Sequence, residues 1–294
     1  MIKISVVIPN LNSPIIHQTI DALEEQTFDR KLYEVIVVGM DKFGLVNENE
    51  RTYFDQTKLP ISPAAARNRG ATQANGEILA FTDADCIPQP NWLEIIIDRF
   101  NNPELKVLGG SVVFDTKEFL TMADNLSFFH DYLVSFPPGT RSQLASLNLS
   151  IRRDLFNHVG GFDERYPRPA GEDSDLTIRL RKAGNTLHFE PRAIVYHLSQ
   201  RHRLRDLIRH HYYQGVFSTK VNSRYIDKEK YKSIFSSRLL LILLAPVLAL
   251  IATINIFKIS GVFRKFWITL PIIYLSKFTW CIGAANHPNL DESS

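Results

Sequence analysis

The chain has 294 residues, 45% of them apolar and 22% charged, with a formal net charge of +3 and two cysteines. That length buries a large core and leaves room for one catalytic domain plus an appendage, while Cys86 and Cys281 alone exclude a disulfide framework and fit a reducing compartment. The net charge hides a division: residues 1–198 carry 20 Lys and Arg against 26 Asp and Glu, residues 199–238 carry 10 against 3, and the remainder carries 4 against 2. The pattern is an acidic body, a basic belt and an apolar tail.

Ile4 to Ile8 is a short apolar run ended by Pro9-Asn10 and reads as a strand. Ser13-Pro14 then supplies a cap and a first-turn proline for a helix with Ile16, Ile20 and Leu23 on one face. Tyr33 to Val38 repeats the strand pattern. Ser62-Pro63 opens a second helix, Ala64 to Asn75, stopped by Gly76 ahead of the strand that begins at Ile78. This alternation predicts an α/β fold, a mostly parallel sheet flanked by helices. No basic, apolar, small-residue leader precedes the first strand, which places the body in the cytosol. Pro90-Asn91-Trp92 introduces a helix through Phe100, and Val107 to Phe114 reads as a strand. From Asp115 to Gln143 the pattern weakens, and Phe128, Phe129, Tyr132 and Phe136 read as core or lid packing. Ala145 to Ile151 follows as a strand, Arg152 to His158 as a short helix, Asp173 to Ala183 as a helix closed by Gly184, and His188 to Tyr196 as the last strand of the body.

Asp83-Ala84-Asp85 closes the run Ile78 to Thr82, so a buried strand projects two carboxylates from its C-terminal edge. Ligands of open α/β sheets bind outside that edge, and Mg²⁺ or Mn²⁺ is commonly held by one or two carboxylates plus substrate phosphates. An acidic turn is the plain alternative. No Gly-X-Gly-X-X-Gly follows the first strand and no Walker-type loop is present, which weakens a dinucleotide reading. Taken together, Ser5-Val6-Val7-Ile8-Pro9, Ala66-Arg67-Asn68-Arg69-Gly70, Asp83-Ala84-Asp85, Gly160-Gly161-Phe162-Asp163-Glu164 and Gly171-Glu172-Asp173 resemble, in order and spacing, the family-two-like inverting glycosyltransferases of the GT-A fold. The resemblance spans residues 4 to about 215.

It implies a nucleotide-sugar donor, UDP-sugars favoured, and a saccharide or lipid-linked acceptor. Asp85 would bind Mg²⁺ or Mn²⁺, and Asp83 would reach the ribose or the metal's water shell. Arg67 and Asn68 look like the donor-contacting pair, with Pro9, Asn10, Asn12 and Asp41 on the same donor side. Asp173 matches the general base, with Glu172 holding the acceptor or tuning its neighbour. His197 falls where relatives complete the metal shell, or is a structural histidine; Asn148 falls on the acceptor side, or is a satisfied strand-end amide. Relatives commonly end the second strand with two acids, whereas Val38-Gly39-Met40-Asp41 offers one, which leaves the nucleotide open. The Gln-X-X-Arg-Trp motif of processive synthases is missing, the tryptophans being Trp92, Trp267 and Trp280, so one sugar per encounter is expected.

Leu239 to Phe257 is an uncharged apolar run, roughly 28 Å long as a helix and close to a bilayer core. Phe266 to Ala285 is a second, broken by Pro271 and Lys277; a buried helical pair in a soluble domain is the alternative. Ahead of them lie Arg201, Arg203, Arg205, Arg209, Lys220, Arg224, Lys228, Lys230, Lys232 and Arg238. Beside a membrane-length run this belt reads as lipid attraction, about 1 kcal/mol per charge near the surface, rather than as a nucleic-acid patch; donor phosphate is the other use for its first members. The expected division is a catalytic domain at 1–215, a juxtamembrane connector at 216–238, a membrane hairpin at 239–285 and a polar tail at 286–294. The catalytic domain would face the cytoplasm at the cell membrane. Were both runs to span, Lys258, Arg264 and Lys265 would sit on the far side against the positive-inside tendency, a conflict an interfacial hairpin avoids. Two other functions stay in view: a sugar-phosphate nucleotidylyltransferase, whose Gly-rich Arg loop Pro9-Asn10-Leu11-Asn12 lacks, and a non-catalytic membrane-bound partner of another transferase.

Overall fold

Ile4–Leu11 (β1) and Tyr33–Met40 (β2) are buried along nearly their whole length, as parallel strands covered on both faces must be. The computed structural model describes residues 1–225 and 237–286, the side chains of 220–225 excepted. Lys220, Arg224, Lys228, Lys230 and Lys232 of the basic belt, and the tail from 287, lie outside that description. Between the two strands runs Ile16–Glu24 (α1), which turns Ile16, Thr19, Ile20 and Leu23 inward. Thr52–Gln56 (β3) adds to β2; it carried no apolar signal because only Thr52 of its five residues is buried. Pro63–Gln73 (α2) starts at Ser62, whose hydroxyl accepts the Ala65 N–H, and leads to Ile78–Thr82 (β4).

Cys86–Pro88 (β5), Trp92–Phe100 (α3), Val107–Phe114 (β6), Phe119–Phe129 (α4), Gly139–Thr140 (β7), Asn148–Arg152 (β8), Arg153–His158 (α5), Glu172–Lys182 (α6) and His188–His197 (β9) follow. The helices Leu204–Tyr225 (α7), Arg238–Lys258 (α8), Val262–Phe266 (α9) and Leu270–Ala285 (α10) complete the described chain. Among the described residues nine strands form one sheet, ordered β3-β2-β1-β4-β8-β6-β9-β5 with β7 on β9. β3, β2, β1 and β4 are parallel, as the alternation predicts. Beyond β4 the sheet is mixed: β8 runs antiparallel to β4 and β6, and β5 and β7 antiparallel to β9. Phe81 of β4 meets Phe156 and Phe162 at 5.3 and 5.2 Å, each such buried ring contributing about 1.5–3 kcal/mol.

The chain divides into two compact units, Met1–Val113 with Tyr132–Leu198, and Phe114–Asp131 with the residues from Ser199 onward. The first holds the sheet. The second is helical, and α10 packs on α4, α7 and α8. Its crossing with α7 is backbone against backbone: a Cβ on Gly215 would lie 2.0 Å from the Trp280 carbonyl oxygen, and one on Gly283 would lie 2.0 Å from that of Tyr212. Buried Asp124 takes Arg201 Nε at 2.6 Å and His211 Nε2 at 3.1 Å, and the His211 ring stacks on Phe128 at 4.5 Å. Lys277 donates to the Ser127 carbonyl at 2.9 Å, so the charge that interrupts the second apolar run has a partner. Arg238–Lys258 and Val262–Ala285 are long and apolar enough to cross a membrane by length and composition. On α8, Leu239, Leu243, Val247, Leu250, Ile251 and Ile254 are all exposed.

In the first unit β1 and β2 finish in contact. Gly39 has φ +136°, and a Cβ there would lie 2.0 Å from the Asn10 carbonyl oxygen. Neither backbone can yield without opening the parallel ladder that holds the carboxyl edge together. Gly39→Ala is expected to cost about 3 kcal/mol, read as a fall of roughly 6–12 °C in the thermal midpoint; an unchanged midpoint would show that the strand ends part freely.

Candidate active site

The residues expected to meet a donor gather at the carboxyl ends of β1, β2 and β4. Pro9 pairs in register with Val38. Asn10, 3% exposed, donates to the Met40 carbonyl and accepts the Ser13 N–H, each at 3.0 Å. Asn12 takes the left-handed region at φ +56° and accepts the Lys42 N–H at 2.8 Å. Asp41 folds over its own loop, accepting the N–H groups of Val46 at 2.7 Å and Phe43 at 3.3 Å. Ser13, which the sequence did not single out, ties this corner to the acidic motif by donating to the Ala84 carbonyl at 2.9 Å.

Between β4 and β5 the chain turns through Asp83-Ala84-Asp85 and crosses from the middle of the sheet to its edge. There Cys86 pairs with His197, and the Leu198 N–H donates to the Asp85 carbonyl at 2.8 Å. This pairing brings His197 Nε2 to 3.6 Å from Asp85 Oδ2, and ligand atoms of Asp85, Cys86 and His197 lie within 4.8 Å of one another. A carboxylate with an imidazole suits a borderline divalent cation such as Mn²⁺. Burial and the neighbouring carboxylates push the Cys86 thiol well up, so it enters as a neutral group. Asp85 remains partly exposed, which leaves an open side for substrate oxygens.

Arg67 is buried between the two acidic segments. Its side chain is 2% exposed over the Phe162 ring; Nη2 donates to Asp83 at 2.6 Å and Nη1 to Glu172 at 3.2 Å. Both terminal nitrogens of the guanidinium are engaged by carboxylates, which makes Arg67 a buried bridge between the acidic motif and the acid pair. Asn68 is likewise turned inward: it accepts the Phe162 N–H and donates to the Phe162 carbonyl, both at 2.8 Å, with Glu164 as a further acceptor at 2.9 Å. Arg179, unmarked in the sequence reading, holds the same glycine loop by donating to the Val159 and Gly161 carbonyls at 2.7 Å each. Asn148 is the satisfied strand-end amide: it accepts from Trp92 Nε1 at 3.0 Å and donates to Ser111 and Ala193 carbonyls at 2.9 Å. At 3% exposure it belongs to the framework, not to an acceptor surface.

Glu172 and Asp173 open α6 behind Gly171, whose φ of +91° aims the helix start at Arg67 and Asp83. Burial, then the negative charge of Asp173, pushes Glu172 up to about 8, and Arg67 offsets only part of this. Burial also raises Asp173, but the Ser174 N–H at 2.7 Å and the Ser146 N–H at 3.4 Å hold its ionised form. Glu172 Oε2 has no hydrogen-bond partner among the described residues. Both carboxyls of the pair are thus raised by burial, and their titration belongs to the pair.

Residues 5–218 match the family described as "Glycosyltransferase like family 2". The glycosyltransferase AglE of Haloferax volcanii is 30% identical over 203 residues, 66% of each chain. The pre-mycofactocin glycosyltransferase of Mycobacterium tuberculosis is 31% identical over 172 residues, 56% of this chain and 36% of that protein. The chain thus spans less than two thirds of the length of these curated relatives. A solved mannosyltransferase from Pyrobaculum calidifontis, in complex with GDP-Man and Mn²⁺, superposes with a TM-score of 0.60 at 19% identity, covering 94% of this chain and 85% of its own. GalNAc-T7 with UDP, GalNAc and Mn²⁺ gives 0.56 at 16%, covering 79% and 53%. Both share the fold.

The raised Glu172 value has a definite sign in stability. A carboxyl whose folded value exceeds its unfolded one stabilises the fold in its protonated state, fully below the unfolded value of 4.5, and that contribution disappears as pH climbs through about 8. Glu172→Gln keeps the neutral shape at every pH. The thermal midpoint of the variant should therefore gain on the native protein between neutral and alkaline pH, and parallel pH curves for the two would place Glu172 in an ordinary carboxylate environment.

Proposed function

The chain belongs to glycosyltransferase-like family 2, and we propose that it is a metal-dependent, inverting enzyme that moves one sugar from a nucleotide-sugar to a saccharide or lipid-linked acceptor. The observation that supports this reading is the buried Arg67 that joins Asp83 of the acidic motif to Glu172 of the acid pair. In a single displacement the acceptor oxygen bonds to the anomeric carbon as the bond to the nucleoside diphosphate breaks. Asp173 takes the hydroxyl proton, a contribution of typically 10²–10⁴-fold. Asp85 and His197 would hold a Mg²⁺ or Mn²⁺, which supplies charge neutralisation for the departing diphosphate. The Mn²⁺ present with both solved neighbours supports that choice.

UDP-sugars are the proposed donors, with GDP-mannose the first competitor, since the two neighbours carry one nucleotide each. A lipid-linked acceptor draws support from a relative at 25% identity over 206 residues, the glucosyl-dolichyl phosphate glucuronosyltransferase of Haloferax volcanii, and from the exposed apolar face of α8. We read that face as lipid-facing and the protein as membrane-attached, with its sheet unit on the cytoplasmic side. Exposed Arg203, Arg205 and Arg209 suit anionic headgroups, whereas Arg201 is engaged by Asp124.

Binding and transfer should separate by residue. In a panel of UDP- and GDP-sugars with Mn²⁺, Asp85→Ala is expected to abolish metal-dependent donor binding, while Asp173→Asn binds donor normally and loses about 10²-fold or more in turnover. Equal donor affinity with and without chelator would remove the metal from the reading, and near-normal transfer by Asp173→Asn would move the base elsewhere. Membrane attachment has its own test in fractionation. The full-length protein should pellet with membranes and need detergent for release, and Leu243→Lys with Leu250→Lys should shift it toward the soluble fraction; a native protein already soluble without detergent would make α8 and α10 core helices.

A further inference from the structure

Arg67 has a part to play beyond either of the sites it touches. Its guanidinium joins two segments far apart in sequence, the turn after β4 and the head of α6, and is itself 2% exposed. A buried cation with two carboxylate partners is stable only while both keep their charge balance. The groups facing Glu172 are Arg67 from α2, Asp83 from the turn after β4, and Asp173 beside it on α6. Asp175 turns away to Arg179 of its own helix at 2.7 Å. Arg67 is thus the cation that acts on the acid pair from within the fold.

We propose that Arg67 is a positioning residue which, by bridging Asp83 and Glu172, fixes the acidic motif to the acid pair and keeps Asp173 ionised for proton abstraction. This deepens, and rests on, the reading of Asp173 as the base. At 2% exposure Arg67 acts through the two carboxylates it holds. Its effect passes through the charge of the pair, since a positive neighbour favours the ionised form of a carboxyl. Removing the charge raises the pair, so the base is protonated over more of the working range; removing Glu172 as well takes away the acid that Arg67 balances at alkaline pH, where Glu172 ionises.

Thermal midpoints of the full-length protein in detergent test this without any substrate. Arg67→Met should fall below the native protein by about 5 °C more at about pH 8.5 than at about pH 5. The double variant Arg67→Met/Glu172→Gln should show a gap that does not grow with pH. A gap for Arg67→Met that is equal at both pH values, or a double variant as depressed at alkaline pH as the single one, would make Arg67 a packing residue and overturn the proposal. If Arg67→Met alone yields no folded protein, a folded double variant supports charge compensation, and an unfolded one overturns it. With the donor found in the panel, the acid limb of kcat/KM for Arg67→Met should move up by about one pH unit; an unmoved limb counts against the proposal. Failure of the base assignment is visible separately, as transfer retained by Asp173→Asn, and leaves the midpoints as they are.

Discussion

One buried positive charge organises the carboxyl edge of this sheet. Taking a guanidinium out of water costs several kcal/mol, and the cost is met only by partners held at hydrogen-bond distance. Asp83 and Glu172 are those partners, at 2.6 and 3.2 Å. Everything that locates them becomes part of the same constraint: the Ser62 cap that starts α2, the buried run of β4, and the left-handed Gly171 that starts α6. The Asn68 amide, one residue along from Arg67, clamps Phe162, and the Phe162 ring lies under the guanidinium. Charge, cap and ring therefore fix one another, and the acidic motif and the acid pair come to lie together as a by-product of keeping Arg67 paired.

Much of this was legible in the residues. Strand–helix alternation predicts β1, β2 and β4 and the helices between them, since each run has the apolar period of its element. The acid pair, the acidic motif and His197 are found by position along the chain. What the sequence could not convey is which way an amide or a guanidinium faces. Asn68, Asn148 and Arg67 are residue types that bind ligands and bind frameworks equally well, and only the neighbours in space decide; Trp92, which engages Asn148, lies 56 residues away. β3 and β5 escaped notice for a different reason. The first has one buried residue, the second is three residues long, and neither carries a period. Ser146 contributes a backbone N–H, which no side-chain pattern records.

The second unit shows the same economy of polar groups in apolar surroundings. Burial alone would raise Asp124, yet Arg201 and His211 outweigh it and hold the carboxyl well below its usual range. The aromatic stretch expected to pack does so in two places: Phe128 stacks on His211 in the helical unit, and Tyr132 lies 6.4 Å from Phe189 in the sheet unit. The two runs of the apolar tail, expected as a membrane hairpin, differ in kind, since α10 packs on α4 and α7. α8 shows its leucines outward, while α10 presents small residues to a neighbour.

The packing of α10 sets an order on synthesis. Lys277 closes on Ser127 across 150 residues of chain, and at ~5–20 residues per second the ribosome needs roughly 8–30 s to supply them. Through that interval Met122, Ala123 and Leu126 of α4, buried in the finished protein, have no α10 to cover them. The strands of the sheet, the last ending at His197, are all made before α8 begins. A nascent chain stalled after residue 240 would thus hold every strand of the sheet and the α4–α7 contact, with the faces that α10 covers still open to solvent.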